Sequence, residues 1–226
     1  MTIHPIATFH SPLKSKFGVP RQSGVVPQLH GTIVFEPEYR LVDYLRGMEG
    51  FDYLWLLWIF SANTTTRVGA TVRPPLLGGN QTKGVFATRS PYRPNPIGLS
   101  SVRVMQIVHD TPDGPVIHVE GADLMDGTPI IDIKPYLEYA DSHHHVRSGF
   151  TDNHSWRLLK VVVPEFIRTA YQDDFLQIIT QLLAQDPRPH YHNDPTRVYG
   201  MTYADYNIRF QVEDDVLTIV EIDHVV

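Results

Sequence analysis

Seven short apolar runs, each closed by turn residues, limit what this 226-residue chain can fold into more than any other feature of its sequence. They lie at 3–11, 31–35, 54–60, 85–88, 99–108, 116–121 and 129–133 and are rich in Val, Ile, Leu, Phe and Thr. Gly24, Gly69, Gly78-Gly79-Asn80, Pro112-Asp113-Gly114 and Asp126-Gly127 separate them. Branched and aromatic side chains suit a pleated, half-buried surface, so the pattern predicts short strands in an antiparallel barrel or sandwich. The fold class is mainly β, and α+β overall. Leu99, Val102, Val104 and Ile107 do not alternate cleanly, which predicts a bulge or local twist in that strand. One helix is predicted at 38–48, with Leu41, Val42 and Leu45 on one face and Gly47 or Gly50 near its end.

The pattern lapses at 141–153 into a polar linker or surface loop that includes His143, His144 and His145. Adjacent side chains point in different directions and no carboxylate pattern completes a set, so these histidines are read as exposed loop and not as metal ligands. A strand at 158–163 follows. A helix after Pro164 carries the stripe Phe175, Ile178, Ile179, Leu182 and Leu183. Alternation at 207–213 and 216–222 around Asp214-Asp215 predicts a terminal hairpin. This small β-α-β-β module is near the lower size limit for folding alone and should lean on the first region. The expected domains are 1–141, barrel-like, and 142–226, small and α+β.

The chain has no cysteine, which excludes a disulfide framework, a thiolate metal site and a cysteine nucleophile. Its longest apolar run, at 53–60, is far shorter than the ~20 residues of a membrane span. No secretory signal is visible, so a cytoplasmic location without membrane association is expected. The net charge is −6. That charge is unevenly spread: residues 53–109 contain no Asp or Glu, while Arg67, Arg73, Lys83, Arg89, Arg93 and Arg103 all fall there. A basic region in an acidic protein can attract polyphosphate while net charge keeps the molecule soluble.

No dinucleotide-binding glycine fingerprint, P-loop, nucleophile elbow or zinc-protease helix occurs. Four dense polar segments remain. In Val19-Pro20-Arg21-Gln22 a proline stiffens the approach to an Arg and an amide. The segment from Arg73 to Asn80 sets two prolines before Gly78-Gly79, a rigid extended piece followed by room for close backbone approach. Residues 86–98 place Arg89, Arg93, Asn95, three prolines and Tyr92 directly after an apolar run. Prolines there lower the entropy cost of holding both arginines, whose forks suit phosphate or carboxylate. In the fourth segment, residues 122–136, Asp123, Asp126, Asp132, Lys134 and Tyr136 flank one strand. If Ile131 and Ile133 face the core, Asp132 and Lys134 share the other face. Turn formation at Asp126-Gly127 and a solvated face explain part of this pattern equally well.

These four segments resemble the signature of the TsaA/YaeB-like family, the TrmO tRNA methyltransferases. The matching stretches read VPRQ, TVRPPLLGGN, GVFATRSPYRPNPIGLS and DLMDGTPIIDIKPY, with AQDPRPHY at 184–191 in the second region. The resemblance covers nearly the whole chain and thins at 111–115 and 139–159. It implies an enzyme that uses S-adenosylmethionine (SAM) to methylate N6 of threonylcarbamoyladenosine, just 3′ of the anticodon in tRNA. It also implies a barrel-like SAM domain, a smaller C-terminal domain and a homodimer. Pro20, Arg21, Gln22, Arg89, Leu99, Ala122, Asp123 and Leu124 would surround SAM by this resemblance. Ser61 and Ala62 fall where the family often has His-Gln, so main chain or another group would serve there.

Methyl transfer from a sulfonium needs orientation of two bound reactants and a lone pair on the attacking nitrogen. A carbamoylated N6 must lose its proton, for which Asp126 and Asp132 are the candidate bases. Arg89 or Arg93 would hold an anionic substrate group, with Arg73, Asn95, Lys134 and Tyr136 as further substrate contacts. Two rival readings keep SAM: methylation of a small molecule or protein, and a non-catalytic SAM- or RNA-binding regulator.

Overall fold

The computed structural model describes residues 2–63, 68–188 and 194–225. Arg67 and the 189–191 part of the AQDPRPHY stretch lie outside them. Six strands close into an antiparallel barrel: β1 (Ala7–His10), β2 (His30–Phe35), β3 (Tyr53–Ile59), β6 (Ile97–Val108), β7 (Val116–Glu120) and β8 (Thr128–Pro135). Their order around the barrel is β1-β2-β7-β6-β3-β8, and β8 returns to β1. Period-two alternation fills the interior: Leu54, Leu56 and Trp58 of β3 point inward against Ile33, Phe35, Val102, Ile117 and Ile130. The Trp58 indole occupies this space because Gly98 faces it; a Cβ on Gly98 would lie 2.3 Å from the ring. Between β3 and β6, β4 (Thr71–Val72) and β5 (Lys83–Gly84) form a two-stranded ribbon.

The expected irregularity in β6 is present as a register shift between Val104 and Gln106 against β7. Three expectations differ. The run at 85–88 is not a strand: 3-10 geometry covers Val85–Ala87. The helix at 38–48 is instead three 3-10 turns, Pro37–Tyr39, Val42–Leu45 and Met48–Gly50. Of its supposed stripe only Leu45 is buried, Leu41 is 67% exposed, and Gly47 turns left-handed, so no continuous apolar face holds a helix there. In β8 a register shift at Leu57/Trp58 of its β3 partner skips Ile131, so Ile130 and Ile133 pack on the core, not Ile131 and Ile133. Asp132 and Lys134 still meet on the outer face, 2.8 Å apart.

After the short helix α1 (Glu138–Asp141), His143, His144 and His145 are exposed. The C-terminal part holds β9 (Lys160–Val162), α2 (Glu165–Arg168), α3 (Asp173–Ala184), β10 (Tyr199–Tyr203), β11 (Tyr206–Glu213) and β12 (Val216–His224). The predicted hairpin is β11–β12, turning at Asp214-Asp215. The sheet has one more strand than expected, β10, in the order β10-β11-β12-β9 with β9 parallel to β12. Ile178, Ile179, Leu182 and Leu183 of α3 bury against Met201, Phe210, Leu217 and Ile219. That core also takes in Leu13, Val26 and Leu29, which belong to the long connection between β1 and β2.

Candidate active site

A cleft of about 470 Å³ opens where the β1–β2 connection, the end of β3, the loop before β6 and the β7–β8 connection converge. Pro20, Arg21 and Gln22 form one wall. Arg89, Pro91 and Arg93 form another, and Trp58, Phe60, Ser61, Ala62 and Leu99 line the side nearest the barrel. Asp123 enters from the β7–β8 connection and is the sole carboxylate lining the cleft among the described residues.

Each polar group is held from behind. Trp58 Nε1 donates to Ser100 Oγ at 2.9 Å, and Ser100 Oγ donates in turn to Asp123 Oδ1. Burial pushes the Asp123 carboxyl above the usual carboxylate value, against the opposing pull of the Ser100 hydrogen bond and the Arg89 charge. Arg89 Nη1 donates to Gln22 Oε1, tying two walls together. Arg93 Nη1 donates to Thr88 O at 3.0 Å, and Asn63 Nδ2 to Pro91 O at 3.1 Å, so the proline-rich loop is pinned at both ends. Arg21 donates from Nη2 to Asp186 O at 3.0 Å and lies over the Trp156 ring, 3.8 Å from its centroid. Its Nη1 is buried and has no hydrogen-bond partner among the described residues. Burial lowers the Arg21 pKa, with the Asp186 charge acting the other way.

Eight of the ten residues proposed to surround SAM line this cleft: Pro20, Arg21, Gln22, Ser61, Ala62, Arg89, Leu99 and Asp123. Ala122 and Leu124 flank Asp123 in the β7–β8 connection but are buried in the barrel core. Of the substrate candidates Arg89 and Arg93 line it. Arg73 and Asn95 are exposed elsewhere, and Lys134 is held by Asp132. Tyr136 packs on Trp55, a lining residue, at 5.6 Å between ring centroids. Neither base candidate reaches the cleft. Asp126 lies in a separate groove, where it accepts Ser11 N–H at 3.0 Å and pairs with Lys14 at 3.1 Å. Burial works against its charge, but the Ser11 amide, Lys14 and His10 outweigh that and hold its carboxyl below the usual value. A carboxylate so engaged is a poor proton acceptor.

Trp58, Ser100 and Trp156 went unnoticed in the sequence. For Ser100 a signal existed: it is a hydroxyl in the inward row Gly98, Ser100 and Val102 of an otherwise apolar strand.

The family model described as tRNA-methyltransferase O N-terminal domain matches residues 8–142, and the TrmO C-terminal domain matches 164–225. This chain belongs to the TrmO family. A tRNA (adenine(37)-N6)-methyltransferase of Escherichia coli K12 is 37% identical over 217 residues, 92% of each chain. A Pseudomonas aeruginosa relative with S-adenosylmethionine-dependent methyltransferase in its name is 36% identical over 216 residues, covering 92% of this chain and 91% of its own. A crystal structure of TrmO from P. aeruginosa superposes with a TM-score of 0.78 at 31% identity, covering 99% of this chain and 97% of that one. The TrmO family resemblance read from the four polar segments therefore holds across the chain.

Proposed function

We propose that this protein transfers a methyl group from SAM to N6 of threonylcarbamoyladenosine beside the anticodon of tRNA. The observation that carries the reading is the convergence of Arg21, Gln22, Arg89 and Asp123 on one cleft in a barrel that matches the TrmO family over its length. The cleft suits such a donor. Apolar and aromatic walls from Pro20, Trp58, Phe60 and Leu99 can take a nucleoside. The Arg21 guanidinium in the wall offers a partner for a carboxylate, and Asp123 offers the negative charge that a sulfonium favours. Bound SAM supplies an electrophilic methyl on a positively charged sulfur.

The chain's own groups do the rest by orientation. Gln22 and Arg89 brace opposite walls, so the two reactants meet at a fixed distance. Asp123 accepts the N6 proton: its raised pKa makes it a stronger base than an exposed carboxylate, and Ser100 and Trp58 hold its orientation. This replaces Asp126 and Asp132 in the role of base. Arg93 and Lys16 at the rim face the anionic tRNA, and the barrel (1–141) and C-terminal part (142–226) are the working domains. The protein acts as a homodimer in this reading, as the family resemblance implies.

Incubating purified protein and SAM with tRNA that carries threonylcarbamoyladenosine, then weighing the digested nucleosides, tests the activity. A gain of one methyl on that nucleoside is expected. An unchanged nucleoside, with the donor still bound, would leave a regulator and not an enzyme.

A further inference from the structure

The loop that carries Pro20, Arg21 and Gln22 begins on a barrel strand, but its anchors are in the other core. Leu13, Val26 and Leu29 are buried among residues of α3 and β10–β12. Pro12 O accepts the Ala204 N–H at 2.7 Å, and Gln28 Oε1 accepts Gln181 Nε2 at 2.9 Å. Gly18, in a left-handed turn at φ 91°, lies against Met201 so closely that a Cβ would sit 2.5 Å from the sulfur. The backbone of this cleft wall is therefore placed by the C-terminal half.

The same is true of the Arg21 side chain. Its guanidinium is sandwiched against the Trp156 ring and donates to the Asp186 carbonyl, and both belong to the C-terminal half. Asp186 is itself fixed: its backbone is left-handed at φ 49°, and its carboxylate takes a two-pronged contact from Arg188 at 2.8 and 3.0 Å. A guanidinium is a rigid planar fork. Once one prong is committed and one face is covered, the direction of the other prong is set. That other prong, Nη1, is shielded from solvent and has no hydrogen-bond partner among the described residues, while the residue that carries it lines the cleft. A guanidinium fixed in this way in the wall of a cleft presents a planar donor group suited to a carboxylate.

We propose that Trp156 and the Asp186 carbonyl are positioning residues of the donor site. They hold the Arg21 guanidinium in the cleft wall for the amino-acid carboxylate of the methyl donor, which makes the C-terminal half a structural part of the cofactor pocket. The inference rests on the reading that the cleft holds SAM. The Trp156 ring, which is outside the cleft lining, holds the guanidinium by cation–π attraction.

The test is calorimetric binding to the full-length protein with two probes. S-adenosylhomocysteine carries the amino-acid carboxylate, whereas 5′-methylthioadenosine keeps the nucleoside and thioether and lacks it. Trp156→Leu keeps apolar bulk but removes the ring face. It should raise the Kd for S-adenosylhomocysteine about tenfold, with about twofold change or less for 5′-methylthioadenosine. Trp156→Phe, which restores an aromatic face, should recover most of the loss. Should Trp156→Leu fail to fold, Arg21→Lys, which keeps the charge but loses the fork, should show the same selectivity between probes. Equal weakening of both probes, or unchanged S-adenosylhomocysteine binding in the variants, overturns the positioning role and leaves the SAM reading standing. Wild-type protein that binds neither probe overturns the SAM reading itself, and this inference with it.

Discussion

At the residue scale the most informative group is Asp123, because one carboxylate receives opposing instructions. Burial favours its neutral form, while Ser100 and Arg89 favour the charged one, and burial prevails. Between the usual carboxylate value and the raised one, the folded chain keeps a proton that the unfolded chain has released. Stability contributed by this site therefore falls as pH rises through that window. Proton acceptance requires the ionised form, so kcat should rise with pH, with a midpoint above that of an ordinary carboxylate. Asp123→Asn should abolish both the pH step and most turnover, and single-turnover methylation across a pH series reads this directly. Ser100→Ala leaves the buried Trp58 Nε1 without its acceptor and should cost about 1–3 kcal/mol in denaturant unfolding while moving the kinetic pH midpoint. Arg93→Ala should raise the tRNA KM or lower kcat and leave donor affinity largely intact; equal loss of both affinities would place Arg93 in the donor site instead. Arg21, Arg89 and Asp123 were legible because prolines and charges crowd around them in sequence. Trp58, Ser100 and Trp156 were not, since their roles depend on neighbours brought to them by pairing or packing.

Among elements, those with a strong period were readable and those held by tertiary contacts were not. Helix α3 and the β11–β12 hairpin follow from a clean stripe and a clean alternation. The 38–48 segment has the spacing of a helix, yet its apolar side chains find no common surface, and it settles as separate tight turns. The register shift opposite Ile131 could not be seen either, since a one-residue slip leaves the composition of a strand unchanged and only reverses its faces. Helix α3 offers a direct test of how the two cores are coupled. Ile179 is fully buried, and Ile179→Ala should destabilise the protein by about 2–5 kcal/mol in chemical denaturation. Because Leu13, Val26 and Leu29 share that core, the same variant should also weaken donor binding at a site to which it contributes no atom.

For the molecule as a whole, charge distribution matters more than the net value of −6. The acid-free stretch supplies Arg89 and Arg93 to the rim of the cleft, and phosphate contacts release counterions, so tRNA affinity should fall steeply with added salt in a binding titration. A flat response between low and moderate salt would count against an electrostatic docking face. A chain cut after residue 141 should be poorly soluble and bind hydrophobic dyes, since Leu13, Val26 and Leu29 would lose the core that covers them. The location of those three side chains also sets a timetable for synthesis. All six barrel strands have been synthesised by Pro135, but the anchorage of the Arg21 loop comes from residues as late as Ile222. The nascent protein can thus close its barrel early and still lack a finished cofactor pocket until its last strand emerges, so chains truncated late in translation would be folded in part yet unable to hold the methyl donor.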